Sequence, residues 1–351
     1  YKGAEVKFDY LVQPSATVLN AAASVPTGAS EPPLWVIMKA LMGGQSVFAG
    51  SLCAGVPTIN TTDVTAAQGG RFPEGQICLI TGSSGLQPVR VLTRVTDTLS
   101  FYPNLASIPA VGAVIINLPT WYLTRTNTQS LRLRYAHATD SAYQWEFVGG
   151  TGNFELKVAR GELAQISVDL SFASYTGPTA QGLSVTHVAD TMDDPFTSRS
   201  MQAYLQPITT LTRVEYPIES CNVKIVQSNK LQETLSGGTE GYRSVARTEN
   251  LQEACALIEL VLRADSGLET WFTDKEKLTF MLVLQVDTAT GRRVFTIDAP
   301  RCIIRDVPDV KAGANGLLKA TITLECQLDQ SASGTLDNEE LAQAGIRFAC
   351  G

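Results

Sequence analysis

Hydrophobic and polar residues alternate along several stretches of the chain, most regularly between residues 131 and 175. Apolar side chains occupy every second position over residues 143–147, 154–158 and 166–172, with mostly polar residues between them. Because successive side chains of a strand point to opposite faces of a sheet, this period of two predicts strands with one buried face. Glycines within residues 149–152 and 160–162 predict chain reversals between them. The centre of the chain is therefore predicted to be a tightly connected antiparallel sheet.

Further elements are predicted on both sides of this sheet. Residues 5–12 alternate and predict a first strand, and residues 33–43 predict a helix that starts with proline and ends at glycine. In the second half, residues 212–226, 278–286, 294–297 and 318–328 predict strands, with a turn over 287–291. The spacing of Asn250 and Glu253 resembles a capping box and predicts a helix over residues 251–263. Residues 337–344 predict a last helix, which caps the second half or docks on a neighbour.

A length of 351 residues favours roughly two domains, each large enough to bury a core. The turn-forming segment 177–182 predicts a boundary, with a first domain over residues 1–180 and a second over 181–351. Residues 45–118 contain few charges and several short β-like runs, which predict a small β module inserted in the first domain and facing outward. Each half has a sheet, one short helix and a final alternating strand, a pattern typical of duplication. The predicted fold class is mainly β with short helices.

Composition and motifs bear on the chemistry of the chain. A net charge of −7, from 34 acidic and 27 basic residues, disfavours a protein that grips nucleic-acid phosphates. The seven cysteines have no CxxC spacing, so we expect free buried thiols. His137 and His187 are the only histidines, and neither stands near a plausible set of metal ligands.

No phosphate-binding loop, nucleophile motif or apolar run of membrane-spanning length is found. The prediction is therefore a non-enzyme with no catalytic, cofactor-binding or metal-binding residues and no membrane span. Two alternatives stay open. The acidic loop at residues 190–194 offers oxygens for a cation. A carboxylate pair for glycoside hydrolysis would leave no local signature in the sequence.

The central sheet also carries a family resemblance. An aromatic strand, a glycine-rich turn and the segment NFELKVARGELAQISVDLSFASY before Gly177 and Pro178 resemble the centre of the major tail tube subunits of long-tailed bacteriophages. Upstream, EPPLWVIMKALMG resembles the short helix that follows the first strand of those subunits. The resemblance is clear over about half of the chain. In its length and its large insertion, the chain departs from single-domain tube subunits.

This resemblance implies two tail-tube-like antiparallel β-barrel or sandwich domains, each with a packed helix, and a structural role in the virion tail. The protein would be synthesised in the host bacterial cytoplasm and would assemble with itself into stacked rings. A trimeric pseudo-hexamer is expected before a true hexamer. Phage DNA would pass through the lumen without specific binding, and the tape measure, terminator and distal tail proteins would be further partners. The alternative is a tail-tip or decoration module that binds a receptor or another tail protein.

Two regions are candidates for contacts between subunits. The resemblance implies a hairpin or loop that bridges successive rings, and residues 230–247 match it best by length and glycine-rich tip, with residues 21–30 second. The predicted contact residues of this hairpin are Gln232, Glu233, Gly237, Gly238, Glu240, Tyr242 and Arg243. Arg132 and Arg134 lie on the polar side of an aromatic strand. They are predicted either to pair with acidic residues of an adjacent subunit or to form a solvated face.

Overall fold

A computed structural model describes residues 4–13, 33–82, 85–124, 130–136, 143–180, 195–226, 230–233, 243–246, 254–288, 291–312, 318–328 and 339–351. Over these residues the chain is mainly β, which confirms the predicted fold class, and its helices are α1 (Pro33–Met42), α2 (Ser266–Thr273) and α3 (Glu339–Gln343). The strands are β1 (Ala4–Leu11), β2 (Gly43–Ser46), β3 (Ser51–Ala54), β4 (Thr61–Val64), β5 (Ile77–Gly82), β6 (Gly85–Val95), β7 (Thr98–Tyr102), β8 (Val114–Asn117), β9 (Thr120–Leu123), β10 (Leu131–Ala136), β11 (Tyr143–Ala159), β12 (Gln165–Phe172), β13 (Ser174–Ala180), β14 (Gln202–Pro207), β15 (Ile218–Ile225), β16 (Lys230–Glu233), β17 (Arg243–Ala246), β18 (Ala256–Arg263), β19 (Leu278–Thr288), β20 (Gly291–Ile304), β21 (Asp309–Ala312), β22 (Leu318–Cys326) and β23 (Arg347–Cys350).

The β module predicted over residues 45–118 is present as a closed barrel. Its six strands pair in the order β3, β4, β7, β6, β5 and β8, and β8 returns to β3. The apolar faces of these strands bury a core of their own, which includes Phe72, Val89, Phe101 and Ile115. Because each strand has two neighbours, the barrel has no free edge.

The rest of the described strands, apart from β16 and β17, form one large antiparallel sheet. Its main path runs β1, β12, β11, β15, β18, β22, β20, β23, β9 and β2, while β10, β13, β14, β19 and β21 pair beside it. Phe154 on β11 and Phe348 on β23 are five strands apart along this path, yet their ring centroids are only 5.4 Å apart. At roughly 4.8 Å per strand, a flat sheet would separate them by more than 20 Å. The sheet therefore curls around a core to which both halves of the chain contribute.

The predicted domain boundary lies near residue 180, where β13 ends. Strand β13, which ends at Ala180, belongs to the same sheet as the strands that follow it. The separation into domains over residues 1–180 and 181–351, and the duplication behind it, stay predictions.

Helix α1 confirms the prediction over residues 33–43. Proline is accepted in the first turn because its missing N–H would have had no intrahelical partner there. Leu34, Ile37, Met38 and Leu41 lie on one side of the helix and are buried against the sheet. The Trp35 ring meets the edge of the Trp121 ring on β9, with centroids 5.9 Å apart.

The prediction of a helix over residues 251–263 is wrong for the residues of this segment that the structure describes. Residues 254 and 255 precede β18, which runs from Ala256 to Arg263 between β15 and β22, and residues 250–253 lie outside the described residues. Ala256, Ile258, Leu260 and Leu262 are buried and alternate with less buried positions, so a period of two describes this segment. Pairing with two neighbouring strands outweighs the local capping pattern. The second half does contain a helix, α2, which Asp265 caps by accepting a hydrogen bond from the Gly267 N–H.

The glycines at residues 149–152 do not reverse the chain, contrary to the prediction. Strand β11 continues through them for 17 residues. Its first part pairs with β10 and β13, and its last part pairs with β12 and β15. A Cβ atom on Gly150 would lie 2.4 Å from the Phe172 ring, so glycine here allows close strand packing at the point where β11 changes partners. The predicted turn at residues 160–162 is confirmed, with Gly161 at φ 81°.

The sequence predicted that the β module faces outward, but one side of the barrel packs against the large sheet. Ile77, Leu79 and Leu118 of the barrel region pack against Met281 and Val283 of β19. Residues 278–284 of β19 are consequently buried on both faces. One wall of the barrel is therefore part of the interior of the molecule.

The last part of the described chain joins distant elements. Helix α3 confirms the prediction over residues 337–344, and its Leu341 packs with Ala344 against Tyr122 of β9. Strand β23 then lies between β20 and β9, with Phe348 opposite both Ile297 and Trp121. This four-residue strand was not predicted from the sequence, although it joins β9 and β2 to the rest of the sheet path.

Candidate assembly surfaces

Arg132 and Arg134 both bind a carboxylate of their own chain. The Nε atoms of Arg132 and Arg134 donate to Oε1 of Glu146 on β11, at 2.7 and 2.6 Å. The hydrogen bond from Arg134, together with Arg132, holds the pKa of Glu146 below its usual value. One carboxylate cannot neutralise two guanidinium groups, and both arginine side chains stay largely exposed, at 58% and 41%. Pairing with an adjacent subunit stays a prediction.

These arginines belong to a small three-stranded unit made by β10, the first part of β11, and β13. Tyr135 and Trp145 are cross-strand partners, with ring centroids 5.7 Å apart. Phe147 stacks on Tyr175 at 6.1 Å. Tyr135, which is 55% exposed, and Tyr175 lie on the face that carries Trp145 and Phe147. Arg132, Arg134 and the exposed Val148 lie on the opposite face with Glu146.

The predicted inter-ring segment contains two paired strands. Lys230–Glu233 and Arg243–Ala246 form an antiparallel ladder in which Glu233 is opposite Arg243 and Gln232 is opposite Ser244. The ladder confirms the two arms of the predicted hairpin, and it lies beside β11. Gly237, Gly238, Glu240 and Tyr242 lie outside the described residues, as do residues 21–30. The role of this segment between rings stays a prediction.

Strand β1 forms one end of the main sheet path. It pairs with β12 without a register shift, and no other described strand pairs with its outer side. The N–H of Val12 donates to the carbonyl of Ala164, at the end of the β12 side. Since backbone groups of an antiparallel strand alternate in direction, even-numbered residues of β1 point theirs to β12. The N–H and C=O groups of Glu5, Lys7 and Asp9 therefore point outward along the edge.

A buried ion cluster joins the barrel to the large sheet, and the sequence analysis missed it. Asp298 on β20 is fully buried and accepts from Arg90 Nη1 of β6 at 2.5 Å and from Arg347 Nη1 of β23 at 2.8 Å. Arg347 also donates to the carbonyls of Leu341 and Ala342 at the end of α3. Charged residues are rarely buried unless paired, but β6 and β20 also contain Arg94 and Arg301, so the sequence does not single out the members of the cluster.

The groups considered for catalysis or metal binding form no site in the part of the chain that the structure describes. No three His, Cys, Asp or Glu side chains there are close enough to hold a metal ion. His137, His187 and the acidic loop at residues 190–194 lie outside it. All seven cysteines are free and buried, as predicted, and burial raises the pKa of thiols such as Cys78, Cys221 and Cys302. These thiols are protonated near neutral pH and hence poor nucleophiles.

Two further findings bear on identity. None of the described helices combines the length and the apolar character that crossing a membrane requires. Comparison of the sequence with protein-family models and with curated proteins gave no match.

Proposed function

We propose that this protein is a structural subunit that assembles with itself, as the major tail tube protein of a long-tailed bacteriophage, into stacked rings around a channel for DNA. The observation that carries the proposal is the outer edge of β1, where the backbone groups of three residues point away from β12. A long open edge is normally a liability, because it accepts strands from other chains. In a closed ring each such edge receives a neighbour, and the liability becomes the contact that builds the assembly.

Other features of the chain agree with this role. The unit of β10, β11 and β13 carries exposed Tyr135 and Tyr175 on one face and Arg132 and Arg134 on the other, and these faces offer further surfaces to a neighbouring copy. A net charge of −7 suits a channel wall along which DNA slides without binding. Three copies with two tube-like domains each would close as a pseudo-hexamer, and six-fold closure is the alternative. The proposed identity as a tail tube protein comes from the resemblance of residues 131–175 to tail tube subunits.

A proline at position 7 tests the edge directly. Lys7→Pro removes an outward N–H and leaves the hydrogen bonds to β12 in place, so we expect a folded monomer that forms no rings or tubes. Lys7→Ala is the matched control, since it loses the same ion pair with Asp169 but keeps the N–H. Negative-stain electron microscopy of concentrated protein reads out assembly, and circular dichroism reads out folding. Tubes formed by Lys7→Pro would disprove pairing through this edge, and the absence of any assembly by the unaltered protein would disprove the function.

The hairpin provides a separate test of stacking. Deleting residues 236–241 shortens the glycine-rich tip and leaves both paired arms, Lys230–Glu233 and Arg243–Ala246, in the chain. We expect single rings without long tubes. A control variant keeps the length and replaces residues 236–241 with serine. Long tubes formed by the deletion variant would remove this hairpin as the contact between rings.

A second candidate function is a binding module at the tail tip or on the virion surface. The observation that favours it is the exposure of apolar side chains on the barrel, where Val56 is 87% and Val111 67% exposed. Such side chains can form the apolar part of a binding surface. The number of copies per particle separates the two functions, because a tube subunit is abundant and a tip protein is rare. Quantitative mass spectrometry of purified virions measures it.

A further inference from the structure

A cleft lies where the barrel meets the large sheet, beside the buried ion cluster. Its volume is about 260 Å³. Glu74, Gly75 and Arg90 line it from the barrel side, and Lys277, Arg301 and Arg347 line it from the other. The cleft thus collects four basic side chains and one acidic side chain in a protein whose net charge is −7.

Two of these basic side chains share the carboxylate behind the cleft. Asp298 gives one oxygen to Arg90 and the other to Arg347, so its single negative charge is divided between two guanidinium groups. Arg90 is only 6% exposed. Besides its contact with Asp298, its guanidinium carbon lies over the face of the Tyr102 ring, 4.8 Å from the ring centroid. A buried cation that shares one carboxylate favours an additional anion nearby.

Lys277 extends the positive charge to the mouth of the cleft. Its side chain is exposed, and no described carboxylate lies within ion-pair distance of its ammonium. Arg301 lies on the bulged part of β20 that follows Pro300, at the same wall. Several basic groups that converge from two sides are the usual arrangement for binding an oxyanion, because charged hydrogen bonds to it are short and strong.

We propose that this cleft binds a small oxyanion of the phosphate class, free or as a phosphate monoester. The volume of about 260 Å³ is below the range of roughly 300–1,000 Å³ of drug-sized ligand sites, which favours a small ion over a large organic ligand. The bound anion contacts the barrel through Arg90 and the large sheet through Lys277, so it also fastens one to the other. This inference rests on the cleft alone and does not depend on the proposed role in a tube.

Calorimetric titration with sodium phosphate, with sodium chloride adjusted to constant ionic strength, tests the proposal on the full chain. We expect one phosphate per chain, and a melting temperature that rises with phosphate more than with chloride. Lys277→Gln should weaken binding about threefold to tenfold, since it removes one charged contact at the mouth. Lys224→Gln, a change of another exposed lysine far along the sheet on β15, should leave binding unchanged.

The outcomes separate clearly. Stabilisation by phosphate no larger than that by chloride, or equal effects of Lys277→Gln and Lys224→Gln, would overturn the proposal. Lys277→Glu is the second variant and should abolish measurable binding, while circular dichroism confirms that it is folded. Thymidine 5′-monophosphate with thymidine as its control distinguishes the sources. Binding of the monophosphate as well as inorganic phosphate, without binding of thymidine, extends the site to esters. Binding of inorganic phosphate but not of the monophosphate restricts it to the free ion.

Discussion

The barrel and the large sheet satisfy their backbone hydrogen bonds in different ways. All six barrel strands come from residues 51–117, and they close on themselves. The large sheet draws strands from residue 4 to residue 350, and its main path ends at β1 on one side and at β2 on the other. The barrel therefore depends on contacts that are local in sequence, whereas the sheet depends on distant segments and leaves the outer side of β1 without a partner among the described strands. The ion cluster and the apolar wall of β5 connect these two kinds of structure.

The largest effect is expected from removing the charge that connects the two regions. Asp298→Asn removes the carboxylate that two buried guanidinium groups share, which should reduce the free energy of unfolding by about 3–5 kcal/mol. Chemical denaturation measures this loss. The control Asp169→Asn breaks an exposed pair with Lys7 and should have little effect. Equal losses in the two variants would mean that the buried cluster does not stabilise the junction.

A pair of ring deletions distinguishes the two cores. Phe101→Ala in the barrel and Phe348→Ala in β23 each empty a fully buried site, and each should cost about 3–4 kcal/mol. Native-state hydrogen exchange should separate them. Phe101→Ala should accelerate exchange in the barrel before the sheet, and Phe348→Ala should accelerate exchange on β9, β11 and β20 together. The same amides opening in both variants would contradict the existence of two cores.

Substitutions at two glycines with similar φ angles test how closely the barrel approaches the residues around α3 and β23. Gly75 has φ 86°, and a Cβ atom there would lie 2.7 Å from the Leu341 carbonyl and 3.0 Å from Arg347. Gly112 has φ 84° and nothing within 4 Å of such an atom. Gly112→Ala should cost about 1 kcal/mol for the backbone angle alone. Gly75→Ala should cost about 1–3 kcal/mol more through steric overlap, as measured by thermal or chemical denaturation. Equal costs would show that the barrel yields freely at this contact.

The smallest effect concerns the exposed arginine pair on β10. The pKa of Glu146 is lowered by Arg134 and Arg132, so its contribution to stability is present above the ordinary carboxyl pKa and is lost as the pH falls through the lowered value. Carbon-detected NMR titration should find this pKa below 4.5, and Arg134→Gln should raise it. An unchanged pKa in Arg134→Gln would contradict the contact.

The sequence predicted the elements whose pattern is local. The alternation over residues 166–172 and 278–286 and the amphipathic helix α1 each follow from residues close together in the chain. The prediction failed for β18, because Asn250 and Glu253 resemble a helix start and only the neighbours β15 and β22 select a strand. It failed at residues 149–152 because a glycine that permits close strand packing resembles one that permits a turn.

The candidate sites followed the same division. The arms of the hairpin at residues 230–247 were predictable from length and composition, and the exposed Arg132 and Arg134 from alternation. The ion cluster was not, since Arg90, Asp298 and Arg347 are far apart in sequence and meet only after the barrel has packed on β20 and β23. The outer edge of β1 also has no local signature, because it is defined by where the sheet path ends.

The position of β23 between β20 and β9 also sets an order of events during synthesis on the ribosome. Every barrel strand has been translated by residue 117, whereas the gap between β20 and β9 stays open until residue 350 has emerged. At roughly 5–20 residues per second, this delay lasts on the order of ten to fifty seconds. Late in that interval the nascent chain carries all six barrel strands together with β9 and β20, and each of these two strands lacks one neighbour until the four residues of β23 have emerged.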